Sequence, residues 1–259
     1  MNKKSRKSIV AGNWKMNLLP SQVKPFGEEL MALAAGFHRQ EAVVCVPFVM
    51  LPAALKVFEG SDISVGAQNV SENPRGAYTG EVCADQLRDL GVKYVIIGHS
   101  ERRTLFDEDD IRINTKVRLA LDAGLHVIIC VGETAEQRNM DVTFEVIKLQ
   151  VKSALYGLDG DALKRVVFAY EPVWAIGTGV TASSDQAEEV CSFIRGVVRA
   201  KFGARAANGL RILYGGSVTP ENADDFFLMP AIDGALIGGA SLDPHKFFSI
   251  LEESENNED

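Results

Sequence analysis

The run His126-Val127-Ile128-Ile129-Cys130-Val131 is followed by a polar turn, then by Phe144, Ile147, Val151 and Leu155 on one helical face, then by Val166-Val167-Phe168-Ala169-Tyr170. The two outer runs are apolar on consecutive residues, which predicts strands covered on both faces, and the spacing between them predicts an amphipathic helix. Strands covered on both faces in a strand-helix-strand series belong to a parallel sheet with its helices outside.

Working outward from this unit, the same alternation runs from end to end. The predicted strands are Ile9 to Gly12, Ala42 to Val46, Ile63 to Ala67, Tyr94 to Ile97, His126 to Val131, Val166 to Tyr170, Arg211 to Tyr214 and Gly234 to Ile237. Ala187, Val190, Ile194 and Val197 form a second helical face after the sixth strand. Gly36, Gly60, Gly124 and Gly203 stand where helices should stop, while Thr219-Pro220-Glu221 and Asp243-Pro244 read as helix starts. Eight strand-helix units without a linker predict one closed α/β barrel spanning residues 1–251. An open doubly wound sheet is the alternative, but the first strand leads into Gly12-Asn13-Trp14-Lys15 and not into a GxGxxG turn.

The chain has 259 residues, 46% hydrophobic and 24% charged, with 23 Gly and 9 Pro, which excludes collagen-like, disordered and membrane-spanning classes. Its net charge is −8, and five acids sit in the last eight residues, Glu252 to Asp259, read as a disordered tail. Nucleic acid and membrane partners are therefore not expected. The basic residues Lys3, Lys4, Arg6 and Lys7 read as a solvated chain end. Only Ile9, Val10 and Ala11 follow them before Gly12, so the long apolar core of a secretory signal is missing and a cytoplasmic location is expected. Four scattered cysteines, Cys45, Cys83, Cys130 and Cys191, fit free thiols in a reducing compartment.

In barrels of this kind the chemistry sits where strands end, so the residues just after each strand are read together. They are Asn13 and Lys15, then His99, Ser100 and Glu101, then Glu171, then Gly215-Gly216-Ser217, then Gly238-Gly239. Two glycine pairs at neighbouring strand ends let backbone N–H groups approach an anion, which suits phosphate, although either pair alone would be an ordinary turn. Glu171 precedes Pro172, which favours extended backbone, and Tyr170 and Trp174 beside it predict a partly desolvated carboxylate, a stronger base. His99 stands at the first turn of a helix, whose positive end favours neutral imidazole. Lys15 would supply positive charge for phosphate and a developing oxyanion, against the plainer reading of an exposed lysine. His38, His126 and His245 show no ligand spacing, so no metal is assigned. Residues Pro172 to Ala182 are too long for an ordinary connection and predict a lid with its tip at Ala175-Ile176-Gly177.

Ala11-Gly12-Asn13-Trp14-Lys15-Met16-Asn17, the stretch Ile97 to Arg103, the stretch Tyr170 to Gly179, Tyr214-Gly215-Gly216-Ser217-Val218 and the stretch Leu236 to Ser241 resemble, in order, the motifs of the triosephosphate isomerase family. The resemblance implies a single (β/α)8 TIM barrel that interconverts dihydroxyacetone phosphate and glyceraldehyde 3-phosphate through an enediolate, with no cofactor. It implies Glu171 as the base, His99 as the neutral acid, Lys15 and Asn13 as oxyanion stabilisers and Glu101 as support for Lys15. It also implies Gly177, Ser217, Gly238 and Gly239 as the phosphate holders. A homodimer follows too, with the loop Gln68 to Gly80 reaching the neighbour and Thr79 near Lys15 of the partner subunit. Val180 stands where the family often has Lys. An aldolase using Lys15 as a Schiff-base nucleophile, or a phosphosugar binder without turnover, are the rival readings.

Overall fold

The computed structural model of the chain describes residues 6–37, 40–175 and 181–256. Strands β1 (Ile9–Asn13), β2 (Glu41–Val46), β3 (Ile63–Ala67), β4 (Tyr94–Ile97), β5 (His126–Val131), β6 (Val166–Tyr170), β7 (Arg211–Tyr214) and β8 (Gly234–Ile237) pair in chain order, all parallel. β8 returns to β1 in the register Ile9↔Gly234 through Gly12↔Ile237, which closes the barrel. Six strands have the boundaries read from sequence; β1 runs one residue further, to Asn13, and β2 starts one earlier, at Glu41.

Consecutive apolar residues are needed because every strand faces two cores. Ile9, Ala11, Val43, Cys45, Tyr94, Ile96, Ile128, Cys130, Val167, Ala169, Leu213 and Leu236 form one buried cluster, which fills the barrel interior. Alternate positions such as Val10, Val44, Val95, Ile129 and Phe168 belong to the larger cluster, shared with the helices. The four cysteines are buried and free. Among the described residues no helix is long and apolar enough to cross a membrane.

The helices are α1 (Pro20–Leu33), α2 (Leu51–Val57), α3 (Ala84–Leu90), α4 (Ser100–Leu105), α5 (Asp110–Asp122), α6 (Ala135–Asn139), α7 (Thr143–Ala154), α8 (Ser184–Gly209), α9 (Ala223–Phe227) and α10 (Pro244–Asn256). Gly36, Gly60 and Gly124 follow α1, α2 and α5 in left-handed backbone, as helix-stopping glycines do. Gly203 likewise leaves the helical region, at φ +83° and ψ 174°, so the first helical stretch of α8 stops there and a second, short one runs on to Gly209. Pro220 opens a turn over residues 220–222 that Thr219 caps, its N–H on Asn222 Oδ1 and its carbonyl accepting the Asn222 and Ala223 N–H groups, and α9 itself begins at Ala223.

Two expectations about the chain ends are corrected. Arg6 is not solvated; it is buried, with its guanidinium on Asp233 and on the Pro230 carbonyl. The acidic tail is helical through Asn256, because the buried stripe Phe247, Ile250 and Leu251 continues to Ser254, whose carbonyl accepts from Gln40 Nε2. Residues 257–259 lie outside the described residues.

The N-terminal end of the barrel carries its own ion cluster. Glu41 accepts from Lys93 Nζ at 2.8 Å and from Arg211 Nη1 at 2.9 Å. Burial raises the Glu41 carboxyl, but the hydrogen bond from Lys93 and the charges of Lys93 and Arg211 outweigh it and hold the group at about 2. Because the folded-state pKa is depressed, this stabilisation is present above the unfolded value and is lost as pH falls toward 2. Glu41→Gln is expected to lower stability by about 3 kcal/mol at pH 7, and the gap to the parent, followed by urea unfolding, should narrow steadily below about pH 4.5. A gap of constant size down to pH 3 would contradict this.

Candidate active site

β1 delivers Asn13 and Lys15 to the C-terminal mouth of the barrel. Lys15 adopts φ +51°, a left-handed conformation costing of order 1 kcal/mol for a residue with a Cβ. Side chains hold it from both sides: Asn13 Oδ1 accepts the Lys15 N–H at 3.1 Å, and Gln68 Nε2 donates to the Lys15 and Cys45 carbonyls, each at 3.0 Å. The Lys15 ammonium reaches Glu101 Oε1 at 2.7 Å.

β4 ends at Ile97, and Gly98 turns the chain so that His99 caps α4. His99 Nδ1 accepts the Glu101 N–H at 3.2 Å, and Nε2 lies 2.9 Å from Glu171 Oε1. The Ser100 N–H donates to Glu171 Oε2 at 2.8 Å. Glu171 is 2% exposed and His99 6%, so the pair titrates away from bulk water.

Here the electrostatics depart from the sequence reading. Burial raises the Glu171 carboxyl, as expected, but the charge and hydrogen bond of His99 and the Ser100 N–H outweigh it, and the net direction is down. Burial lowers the His99 pKa, yet the carboxylates of Glu171 and Glu101 reverse this and lift it above the ordinary value. The helix start acts the other way, because the Glu101 N–H needs the Nδ1 lone pair and so keeps the single ring proton on Nε2, facing Glu171. The sequence could not show that Glu171 and His99 would rest on each other.

A cavity of about 600 Å³ opens at this mouth, and its lining includes Asn13, Lys15, His99, Glu101 and Glu171 together with Ser217, Gly238 and Gly239. Gly177 and the other lid residues from Ile176 to Val180 lie outside the described residues, and the lid stem begins with the short 3-10 turn Val173–Ala175. Gly216 must be glycine, since a Cβ there would stand 2.2 Å from the Tyr214 hydroxyl. The two glycine pairs lead into different structures. Gly239 opens a single 3-10 turn, whose first N–H groups have no partner within it, whereas Gly215-Gly216 is followed by irregular chain and a turn before α9.

Three contributors were not read from the sequence. Ser100 stands beside His99 at a strand end, but nothing local marks its N–H as a donor to Glu171. Gln68 follows β3 directly, and Glu133 comes two residues after β5, so the strand-end rule applied to those two strands finds both. Glu133 is fully buried, and its Oε1 accepts from Trp174 Nε1 at 2.8 Å, Arg138 Nη1 at 2.9 Å and the Tyr170 hydroxyl at 3.1 Å. It therefore ties the lid stem to the barrel.

A barrel whose mouth brings a buried carboxylate, an imidazole and an ammonium around a glycine-walled cavity belongs to the class of enzymes that move protons on small anionic carbonyl compounds. The family model described as Triosephosphate isomerase matches residues 8–254, and the chain belongs to that family. It is similar to the triosephosphate isomerase of Acetivibrio thermocellus, 51% identical over 96% of this chain and 98% of the relative. Those of Clostridium novyi, 50% identical, and Syntrophotalea carbinolica, 47% identical, each cover 95% of this chain and 98% of their own length.

Gln68→Leu would strip the Lys15 carbonyl of its donor and leave the Cys45 carbonyl with the Trp14 N–H alone, and is expected to cost about 1 to 3 kcal/mol of stability. Chemical unfolding checks it, and a loss below about 0.5 kcal/mol, within the scatter of ordinary surface changes, would remove Gln68 from this role.

Proposed function

We propose that the chain interconverts dihydroxyacetone phosphate and D-glyceraldehyde 3-phosphate by proton transfer through an enediolate, the step these compounds take in glycolysis and gluconeogenesis. The observation that carries the reading is the 2.9 Å contact between Glu171 and His99 in the same cavity as Lys15. Substrate phosphate would sit on Ser217, Gly238 and Gly239, with Gly177 closing over it. Lys15 and Asn13 face the oxygen on which negative charge develops, and Glu101 keeps the Lys15 ammonium aimed. His99, protonated on Nε2, donates to the carbonyl oxygen, and Glu171 carries the proton between the two carbons.

The resting arrangement adds a condition. Glu171 is engaged by the Ser100 N–H and by His99, the contacts that depress its pKa. A carbonyl oxygen that takes the Nε2 proton of His99 removes one of these contacts, and movement of the carboxylate toward substrate removes the other. What is left is burial, which strengthens the base. Substrate binding and base activation are thereby one event. Proton transfer alone calls for no cofactor. A Schiff-base aldolase is disfavoured because the Lys15 ammonium is engaged by Glu101, and an ammonium has no lone pair with which to attack.

The working form is a homodimer in this reading. The loop Gln68 to Gly80 is exposed from Pro74 onward, Thr79 included. Beside Lys15 a groove is lined by Met16, Phe48, Leu105 and Phe106, and Met16 is 96% exposed in the single chain. Apolar side chains in such a groove suit a second copy's loop, with Thr79 reaching Lys15 of the partner subunit. A cytoplasmic location is supported by the four buried free thiols.

Glu171→Gln is expected to lower kcat by about a hundred- to ten-thousandfold with little change in affinity for a phosphate-bearing analogue; near-normal turnover in a coupled assay would exclude Glu171 as the base. Deleting residues 71–78 should yield monomers with little activity, and an unchanged sedimenting mass would count against the loop.

A further inference from the structure

Strand β5 ends at Val131, and the next residues, Gly132 and Glu133, lie against the segment that carries Glu171. The Glu171 N–H donates to the Val131 carbonyl at 2.8 Å, and the Val173 N–H donates to the Glu133 carbonyl at 3.1 Å. Glu133 also holds Tyr170 and Trp174 through its carboxylate. Residues 131–133 thus form a bracket for residues 170–174, with Gly132 at its centre.

Contact at that centre is so close that a Cβ on residue 132 would lie 1.7 Å from the Glu171 carbonyl oxygen and 2.7 Å from its carbon. Only glycine fits, yet glycine is the residue whose backbone is least restrained. Gln150, on the outer helix α7, supplies the restraint: Oε1 accepts the Gly132 N–H at 2.8 Å, and Nε2 donates to the Gly132 carbonyl at 3.0 Å. One side-chain amide thus satisfies both backbone polar groups of the residue on which the base's own backbone rests.

We propose that Gln150 is a positioning residue for the isomerisation: by clamping Gly132 from outside the barrel, it sets where the backbone of Glu171 stands and so where its carboxylate can reach. The inference rests on the reading of Glu171 as the base. A carboxylate that must serve two adjacent carbons tolerates little displacement, and errors near 1 Å cost on the order of a hundredfold in rate. Gln150 is not among the residues that line the cavity, so its loss should act on kcat and leave binding nearly unchanged.

Two variants test this. Gln150→Met keeps length and removes both hydrogen bonds; it should remain folded, lose about ten- to a hundredfold in kcat, keep KM within about threefold of the parent, and shift the emission of Trp174, whose indole is held by the bracket. Gln150→Glu is a reversible version. Its protonated carboxyl can accept from the Gly132 N–H and donate to the Gly132 carbonyl, whereas the carboxylate cannot donate. Its kcat relative to the parent should therefore be highest at mildly acidic pH and decline as pH rises through the carboxyl's titration. A Gln150→Met enzyme with kcat within about twofold of the parent, or a Gln150→Glu ratio independent of pH, would overturn the proposal. Normal turnover by Glu171→Gln would instead overturn the reading of the base, and the emission of Gln150→Met would still report whether the clamp exists.

Discussion

Closure of the sheet between β8 and β1 is the constraint on which the rest depends, because every site residue is placed by the end of a strand whose tilt and register closure determines. The seam is close-packed: Gly234, at φ +134°, lies where a Cβ would stand 1.9 Å from the Ile9 carbonyl oxygen. Just before it, buried Asp233 gathers Arg6, Arg195 and the Ile212 N–H on its carboxylate, while its own carbonyl accepts the Ile9 N–H at 2.9 Å. Two guanidiniums and one carboxylate out of water are costly unless each is fully hydrogen-bonded, and removing one partner typically costs about 3 to 5 kcal/mol. A cluster of that kind joins the start of the chain to its last strand and to α8.

The two ends of the barrel solve different electrostatic problems. At the N-terminal end, Glu41, Lys93 and Arg211 are charges paired for stability. At the C-terminal end, Glu171 rests on His99 and the Ser100 N–H while Lys15 rests on Glu101, and in the proposed mechanism a phosphorylated carbonyl compound replaces the contacts of Glu171. Burial there opposes ionisation of the Glu171 carboxylate, and the neighbouring donors restore it. The low polarity that makes each contact strong also makes its removal consequential.

Most of the architecture was legible because a strand buried on both faces needs consecutive apolar residues and an outer helix needs one apolar stripe, and the chain from Ile9 to Ile237 meets both demands. The errors lie where a local signal was overridden by a distant one. Arg6 reads as solvated until β8 brings Asp233 to it. Glu252 and Glu253 look like a disordered tail until the buried stripe of α10 is followed to Ser254. Strand-end residues such as His99 and Lys15 were recognisable by position, whereas Gln150, on an outer helix, had no local mark of its link to Gly132.

Hydrophobic periodicity and turn chemistry are properties of neighbouring residues, so the amino-acid sequence alone determined the eight strands, their helices and the strand-end positions available for chemistry. Distances between remote segments arise only when the barrel closes. The left-handed Lys15 held by Gln68, the contact of Glu171 with His99 and the Ser100 N–H, and the grip of Gln150 on Gly132 were therefore decided by the tertiary structure. Each is a hydrogen bond whose partners lie 18 or more residues apart, and no local pattern encodes its length or direction.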